Sequence, residues 1–178
     1  AIVGGRNIGD AYFDAAENEF ARFTGFESAL LFHSGYAANV GVLQAVLTAR
    51  DTVFCDRLCH ASILDGIRIS GARRFYFNHN DFNHLEDQIR KRSSDKAANV
   101  WVITESIFSM DGDSPDLQAL ARLADEYGLL LYLDEAHAIG VTGKRGEGLL
   151  ASQGLQDRFA VAVYPCGKAP GVSGAFVC

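Results

Sequence analysis

The sequence predicts an α/β fold: a mostly parallel central sheet with helices on both faces. Three observations carry that expectation. Short apolar runs alternate with longer amphipathic ones, the rhythm that strand–helix units impose. The run Leu129-Leu130-Leu131-Tyr132-Leu133 is short and uniformly apolar, which reads as a strand buried on both faces. That run ends at Asp134, at the carboxyl end of the strand, where open α/β sheets bind their ligands. A carboxylate there loses several kcal/mol of hydration unless something cationic or strongly donating meets it. The central question is therefore which positive partner Asp134 has.

The elements follow in order. Residues 1–9 are glycine-rich and read as a loop. Asp10 can cap a helix to Thr24, with Tyr12, Ala16, Phe20 and Phe23 on one face and Gly25 as its stop. Ser28 to His33 reads as a strand, Ser34-Gly35-Tyr36 as a turn, and the stretch to Ala49 as a helix. A strand over 52–55, a helix over 61–71 and a strand over 73–77 come next. Asp81 caps a helix to Arg92, which the polar run 91–97 closes. After a strand over 99–104, Ser114-Pro115 supplies a cap and a first-turn proline for a helix to Tyr127, stopped by Gly128. Beyond the buried strand lies a glycine-rich loop, Gly140 to Gly148, and the last strand candidates are 159–163 and 174–178. The final one, left unpaired, would be an exposed edge, so the chain is expected to be part of something longer.

Composition narrows the classes. At 178 residues, 48% hydrophobic and 21% charged, the chain is one ordinary globular domain. It contains no apolar run of about 18 residues that would span a membrane. A net charge of -6, with basic residues scattered except around Arg90 to Lys96, disfavours nucleic acid as a partner. Four cysteines, Cys55, Cys59, Cys166 and Cys178, form no disulfide-dense framework, which points to a reducing, cytoplasmic setting.

Several motifs carry chemistry, each with a plainer reading beside it. Ser34-Gly35-Tyr36 before a helix offers free backbone N–H groups to a phosphate, or is an ordinary helix entry. His60 follows a strand and precedes a helix, where an imidazole can stack on a flat ring or simply cap the helix. Cys55, Cys59 and His60 lack a second ligand pair and do not make a metal set. Ser109 lies in a polar loop after a strand and offers a hydroxyl donor, or belongs to a turn rich in Asp and Gly. Asp134-Glu135-Ala136-His137 also spells a helicase box, but neither Gly143-Lys144 nor Gly167-Lys168 belongs to a phosphate loop of the required form. Lys168, among small residues and prolines, can form a Schiff base with an aldehyde, or be a solvated lysine.

Taken together, Ser34 to Asn39, Asp56 to Ser62, Glu105 to Asp113, Asp134 to His137, and Gly167-Lys168 with Gly171-Val172-Ser173-Gly174 resemble the α-oxoamine synthases in order and spacing. These are pyridoxal-phosphate enzymes of the aspartate-aminotransferase fold. The resemblance implies that residues 1–178 are the cofactor-binding large domain of a fold-type I enzyme, without its small carboxyl-terminal domain. It implies pyridoxal 5'-phosphate (PLP) held as a Schiff base on Lys168, which also moves the substrate proton. Asp134 pairs with the pyridine nitrogen, keeping the ring protonated. His137 and Ser109 donate toward the phenolic oxygen, His60 stacks on the ring, and Gly35 and Tyr36 give N–H groups to the phosphate. The implied reaction is an acyl transfer that condenses an amino acid with an acyl-CoA, losing CO2 and CoA. The branch most resembled uses L-alanine and pimeloyl-CoA in biotin biosynthesis; sibling enzymes use glycine or serine, and a non-catalytic fragment is the remaining alternative. A homodimer is implied, with no nucleic-acid or membrane partner. One departure stands out: where the family has threonine three residues before the lysine, this chain has Pro165, with neither hydroxyl nor N–H.

Overall fold

A computed structural model describes residues 8–92 and 97–178. The expected glycine-rich opening at 1–7, the middle of the polar run at 93–96 and the side chain of Tyr12 lie outside the described residues. In chain order the elements are α1 (Ile8–Thr24), β1 (Leu30–Phe32), α2 (Gly35–Val46), β2 (Thr52–Asp56), α3 (Ala61–Ser70), β3 (Arg73–Phe77), α4 (Phe82–Lys91), β4 (Val100–Glu105), α5 (Leu117–Tyr127), β5 (Leu130–Asp134), α6 (Leu149–Ser152), β6 (Val161–Pro165) and β7 (Ala175–Val177). A 3-10 turn at Gln156–Arg158 precedes β6.

The strands form one seven-stranded sheet in the order β1-β7-β6-β5-β4-β2-β3. From β3 through β6 every pairing is parallel, and β7 runs antiparallel to both β6 and β1. The expected α/β architecture is therefore present. The last strand is not the exposed edge that its position in the sequence suggests: β7 lies between β1 and β6 and has a partner on each side. Strand residues alternate between the two faces. Val53, Cys55, Trp101, Ile103 and Tyr132 pack with Leu43, Ile63 and Ile67 of α2 and α3. Phe54, Val102, Leu131 and Leu133 pack with Leu85, Leu117 and Leu120 of α4 and α5 on the other face. Covered on both sides, β2 is buried along its whole length.

Local chemistry sets most of the ends. Asp81 caps α4 by accepting the His84 N–H at 2.9 Å. Gly71 and Gly128 close α3 and α5 in the left-handed conformation. Two helix starts differ from expectation in their caps. Helix α1 begins at Ile8, so Asp10 stands inside it rather than capping it. Helix α5 is capped by Asp116, not by Ser114 ahead of Pro115: the Asp116 carboxylate accepts the Ala119 N–H at 2.9 Å, and Leu117, the first helical residue, is fully buried. The later start keeps Leu117, Leu120, Ala121 and Ala124 on the core face.

Candidate active site

The site lies at the carboxyl ends of the central strands, where parallel strands stop and the helices that follow begin. A cavity of about 290 Å³ opens there. The starts of α2 and α3, the ends of β4 and β5, and the β6–β7 connection line it. Of the residues singled out from the sequence, Gly35, Tyr36, His60, Asp134, His137 and Lys168 all line this cavity. Ser109 does not: β4 ends at Glu105, Ser109 stands exposed in the turn beyond it, and Glu105 lines the cavity instead.

Asp134 ends β5 and is 3% exposed. Its Oδ2 accepts from Asn39 Nδ2 at 2.7 Å, and its Oδ1 accepts the Ala136 N–H at 2.8 Å. Burial pushes its carboxyl up, while these two donors and the nearby imidazoles of His60 and His137 pull it down. Glu105 is its register partner on β4, so two carboxyls stand side by side at the cavity wall. Burial first, then the charge of Asp134, raises Glu105 to about 7, against the opposing pull of the His60 N–H, which it accepts at 2.6 Å, and of Lys168. Such a wall favours a cationic group in the cavity.

Lys168 stands in the 166–174 connection of an antiparallel pair. Bonds from Gly171 N to Lys168 O (3.0 Å) and from Val172 N to Cys166 O (3.1 Å) fix the connection's shape. Its Nζ donates to His137 Nε2 at 2.7 Å. Burial, then the charge of Lys168, lowers the imidazole of His137, which suits a neutral ring accepting from an ammonium. His60 is exposed and caps α3, its Nδ1 accepting the Ser62 N–H at 3.2 Å. The plainer reading of His60 thus holds alongside its place on the cavity.

Ser34 caps α2, its Oγ accepting the Ala37 N–H at 3.2 Å. The Gly35 and Tyr36 N–H groups belong to the first turn, which has no intrahelical acceptor for them. The glycine is explained by a neighbour: a Cβ at Gly35 would come within 2.6 Å of Pro165 Cβ. Pro165 therefore packs against the start of α2 rather than extending a polar group toward it. The Tyr36 hydroxyl donates to Asp65 at 2.8 Å on the surface.

Sequence reasoning missed the polar groups beneath the cavity. Asn39, Ser62 and Tyr132 are buried and hydrogen-bonded to one another or to Asp134. The available signals are an asparagine on an otherwise apolar helix face and a tyrosine in an aliphatic strand. It also missed His79, whose Nδ1 lies 3.1 Å from the buried Asp56 and whose Nε2 lies 2.9 Å from Asp113.

A mostly parallel α/β sheet with an acid at a central strand end and a lysine facing it across one cavity defines a ligand-binding α/β protein of the doubly wound kind. More particularly, the chain belongs to the aminotransferase class I and II family, whose sequence model matches residues 4–178. It is 48% identical over 165 residues to an 8-amino-7-oxononanoate synthase of Alkalilimnicola ehrlichii, and 46% identical over 161 residues to that of Acidithiobacillus ferrooxidans. The alignments cover 92% and 90% of this chain but 41% of each relative. The chain thus spans about two-fifths of the length of these curated relatives. Among solved structures it resembles a Sphingomonas wittichii serine palmitoyltransferase (TM-score 0.86, 29% identity, 99% of this chain and 43% of that one). It also resembles the Francisella tularensis 8-amino-7-oxononanoate synthase (TM-score 0.82, 32% identity, 98% and 49%). The likeness to α-oxoamine synthases expected from the motifs is borne out.

Proposed function

We propose that residues 1–178 are the PLP-binding large domain of an acyltransferase that condenses L-alanine with pimeloyl-CoA, releasing CO2 and CoA, as in biotin biosynthesis. One observation carries the reading: Asp134, buried at the tip of β5, faces the same cavity as Lys168. A similar serine palmitoyltransferase is described with PLP bound, and the named relatives are 8-amino-7-oxononanoate synthases. The donor set suits the cofactor. Asp134 is a buried acid with no cation of its own within hydrogen-bonding distance among the described residues, fit for a pyridinium nitrogen. Gly35 and Tyr36 line the cavity at a helix end whose dipole favours an anion, and their backbone N–H groups would cradle the phosphate. Pro165 adds nothing polar, so the phosphate depends on the helix end and on Ser173, which also lines the cavity.

When bound, PLP supplies an electron sink that stabilises negative charge on the carbon beside the substrate nitrogen. The chain's own residues do the rest. Asp134 would hold the positive charge of the cofactor's ring nitrogen. Lys168 would hold the cofactor through its amine, and its Nζ, hydrogen-bonded to His137, would be the group that moves a proton at the substrate α-carbon. His60, from the start of α3, would offer its flat imidazole to the cofactor ring. A homodimer in the cytoplasm belongs to this reading. So does a sibling reaction with glycine or serine, favoured by the likeness to serine palmitoyltransferases. Titrating the full-length protein with alanine, glycine and serine, following the cofactor's absorbance, separates these.

The test of the cofactor reading is chemical. Borohydride treatment of the PLP-loaded protein should fix the label on the peptide containing Lys168. Lys168→Ala should lose the label and lower turnover by about a hundredfold or more. A label elsewhere, or full turnover without this lysine, ends the reading.

A further inference from the structure

Two groups on the cavity wall, Asp134 and His60, come from different elements, yet one buried amide connects them. Asn39 is 2% exposed on α2. Its Oδ1 accepts the Tyr132 hydroxyl at 2.6 Å, while its Nδ2 donates to Asp134 Oδ2 at 2.7 Å and to Ser62 Oγ at 2.9 Å. The amide has one workable orientation. An ionised carboxylate only accepts, so the Asn39 NH2 must face Asp134, leaving the oxygen for the tyrosine hydroxyl. Burial and the charge of Asp134 hold Tyr132 protonated, so its donor is always present. Ser62 Oγ accepts from Asn39, which leaves its own proton for His60 Nδ1 at 2.8 Å. That nitrogen already accepts the Ser62 N–H. The polarity thus runs one way, from Tyr132 through Asn39 and Ser62 to His60, with a branch to Asp134.

We infer that Asn39 is a positioning residue of the site: through this one-way relay it fixes the Asp134 carboxylate and adds the Ser62 hydroxyl to the backbone N–H that already holds His60 Nδ1 as an acceptor, so that neutral His60 carries its proton on Nε2. The assignment rests on the proposed reading only in taking Asp134 and His60 as cofactor contacts; the relay itself is a property of the chain. Substituting Asn39→Asp keeps the shape and reverses the polarity. The new carboxylate repels Asp134 and draws the Ser62 proton away from His60.

Nitrogen-15 NMR of the histidine rings in the full-length protein, at pH about 8.5 and without added PLP, reads the tautomer directly. The expected result is a protonated Nε2 and an acceptor Nδ1 on His60 in the parent protein. The Nδ1 resonance should move in Asn39→Asp and in Ser62→Ala. PLP affinity, measured separately, should fall about tenfold to a hundredfold in Asn39→Asp and less in Ser62→Ala, which leaves the donor to Asp134. If Asn39→Asp does not fold, Ser62→Ala still decides through the His60 resonance. A proton on His60 Nδ1 in the parent, or a His60 signal unmoved by every folded variant, overturns the inference. A parent that shows the expected tautomer and response but binds no PLP leaves the relay standing and removes the cofactor reading instead.

Discussion

Asp134 and Glu135 are neighbours in the chain, both acids and both buried, at 3% and 0% exposure. They do opposite work. Asp134, the last residue of β5, faces the cavity. Glu135 turns to the other side. Its Oε2 accepts the Leu149 N–H at 3.0 Å and its Oε1 the Leu150 N–H at 2.7 Å, at the start of α6. Gly148, at φ 99, completes that fit: a Cβ there would lie 3.1 Å from the Glu135 carboxylate, in a backbone conformation that side chains resist. One acid holds the fold of the glycine-rich loop, and the other faces the cavity. The difference comes from which side of the sheet each side chain takes, since successive residues at a strand end point to opposite faces.

The pair of substitutions Asp134→Ala and Glu135→Ala tests this division hardest. Glu135→Ala strands two backbone N–H groups, at about 1–3 kcal/mol each, and should lower the denaturant midpoint clearly. Asp134→Ala also frees the Ala136 N–H, but that residue lines the open cavity and Asn39 keeps Ser62 as an acceptor. The midpoint should therefore fall less, while PLP binding weakens by about 2–5 kcal/mol, the usual loss when one partner of a buried charge pair is removed. Equal damage to stability from both, with PLP affinity untouched, would show that the two acids share one structural role.

A second contrast lies in pH. Burial raises Glu135 to about 7, against the two N–H donors that pull it down. The folded state therefore holds this proton more tightly than the unfolded chain does, whose carboxyl titrates near 4.5. The resulting stabilisation is complete below the lower value and is lost as pH rises to the upper one, a difference on the order of 3 kcal/mol. Glu105, raised to about 7, adds a slope of the same sign over the same window. His79, raised by Asp56 and Asp113 against the opposing effect of burial, adds another that starts near 6.5. Unfolding free energy should thus decline from pH 4.5 to 7 in the parent. It should decline less steeply in Glu135→Gln, which cannot ionise, and a parent curve that rises over this range would contradict the assignment.

How much of this is legible beforehand follows the range of each interaction. Asp81, Gly71 and Gly128 act within a turn of where they stand, and the chain around them announces it. The burial of β5 shows in its uniform apolar run, and the cavity's acid and lysine show through motif order. Ser114-Pro115 misleads because Asp116 is an equally good cap two residues on, and the burial of Leu117 decides between them. The place of β7 inside the sheet depends on β1, at the far end of the described chain. The Asn39 relay joins residues 23, 93 and 95 positions apart. The local hint is that the asparagine stands on an otherwise apolar helix face; its partners cannot be read from the residues around it. Ser109 shows the reverse case, a residue picked out by its motif that the turn after β4 carries away from the cavity.

Gly35→Ala sharpens the contrast from the cavity side. The added methyl meets Pro165 at 2.6 Å, and overpacking of this kind costs about 1–3 kcal/mol. Because the collision sits at the start of α2, stability and PLP affinity should fall together, unlike the separate losses expected of Asp134→Ala and Glu135→Ala. The smallest effect belongs to Tyr36→Phe. It removes a hydroxyl that donates to Asp65 on the protein surface. Its backbone N–H, the part proposed to meet the phosphate, is unchanged. The unfolding midpoint and PLP affinity should both match the parent. A marked loss of affinity would mean that the tyrosine side chain swings into the cavity when ligand arrives, so that the cavity side of the sheet works through side-chain movement where the core side is held fixed.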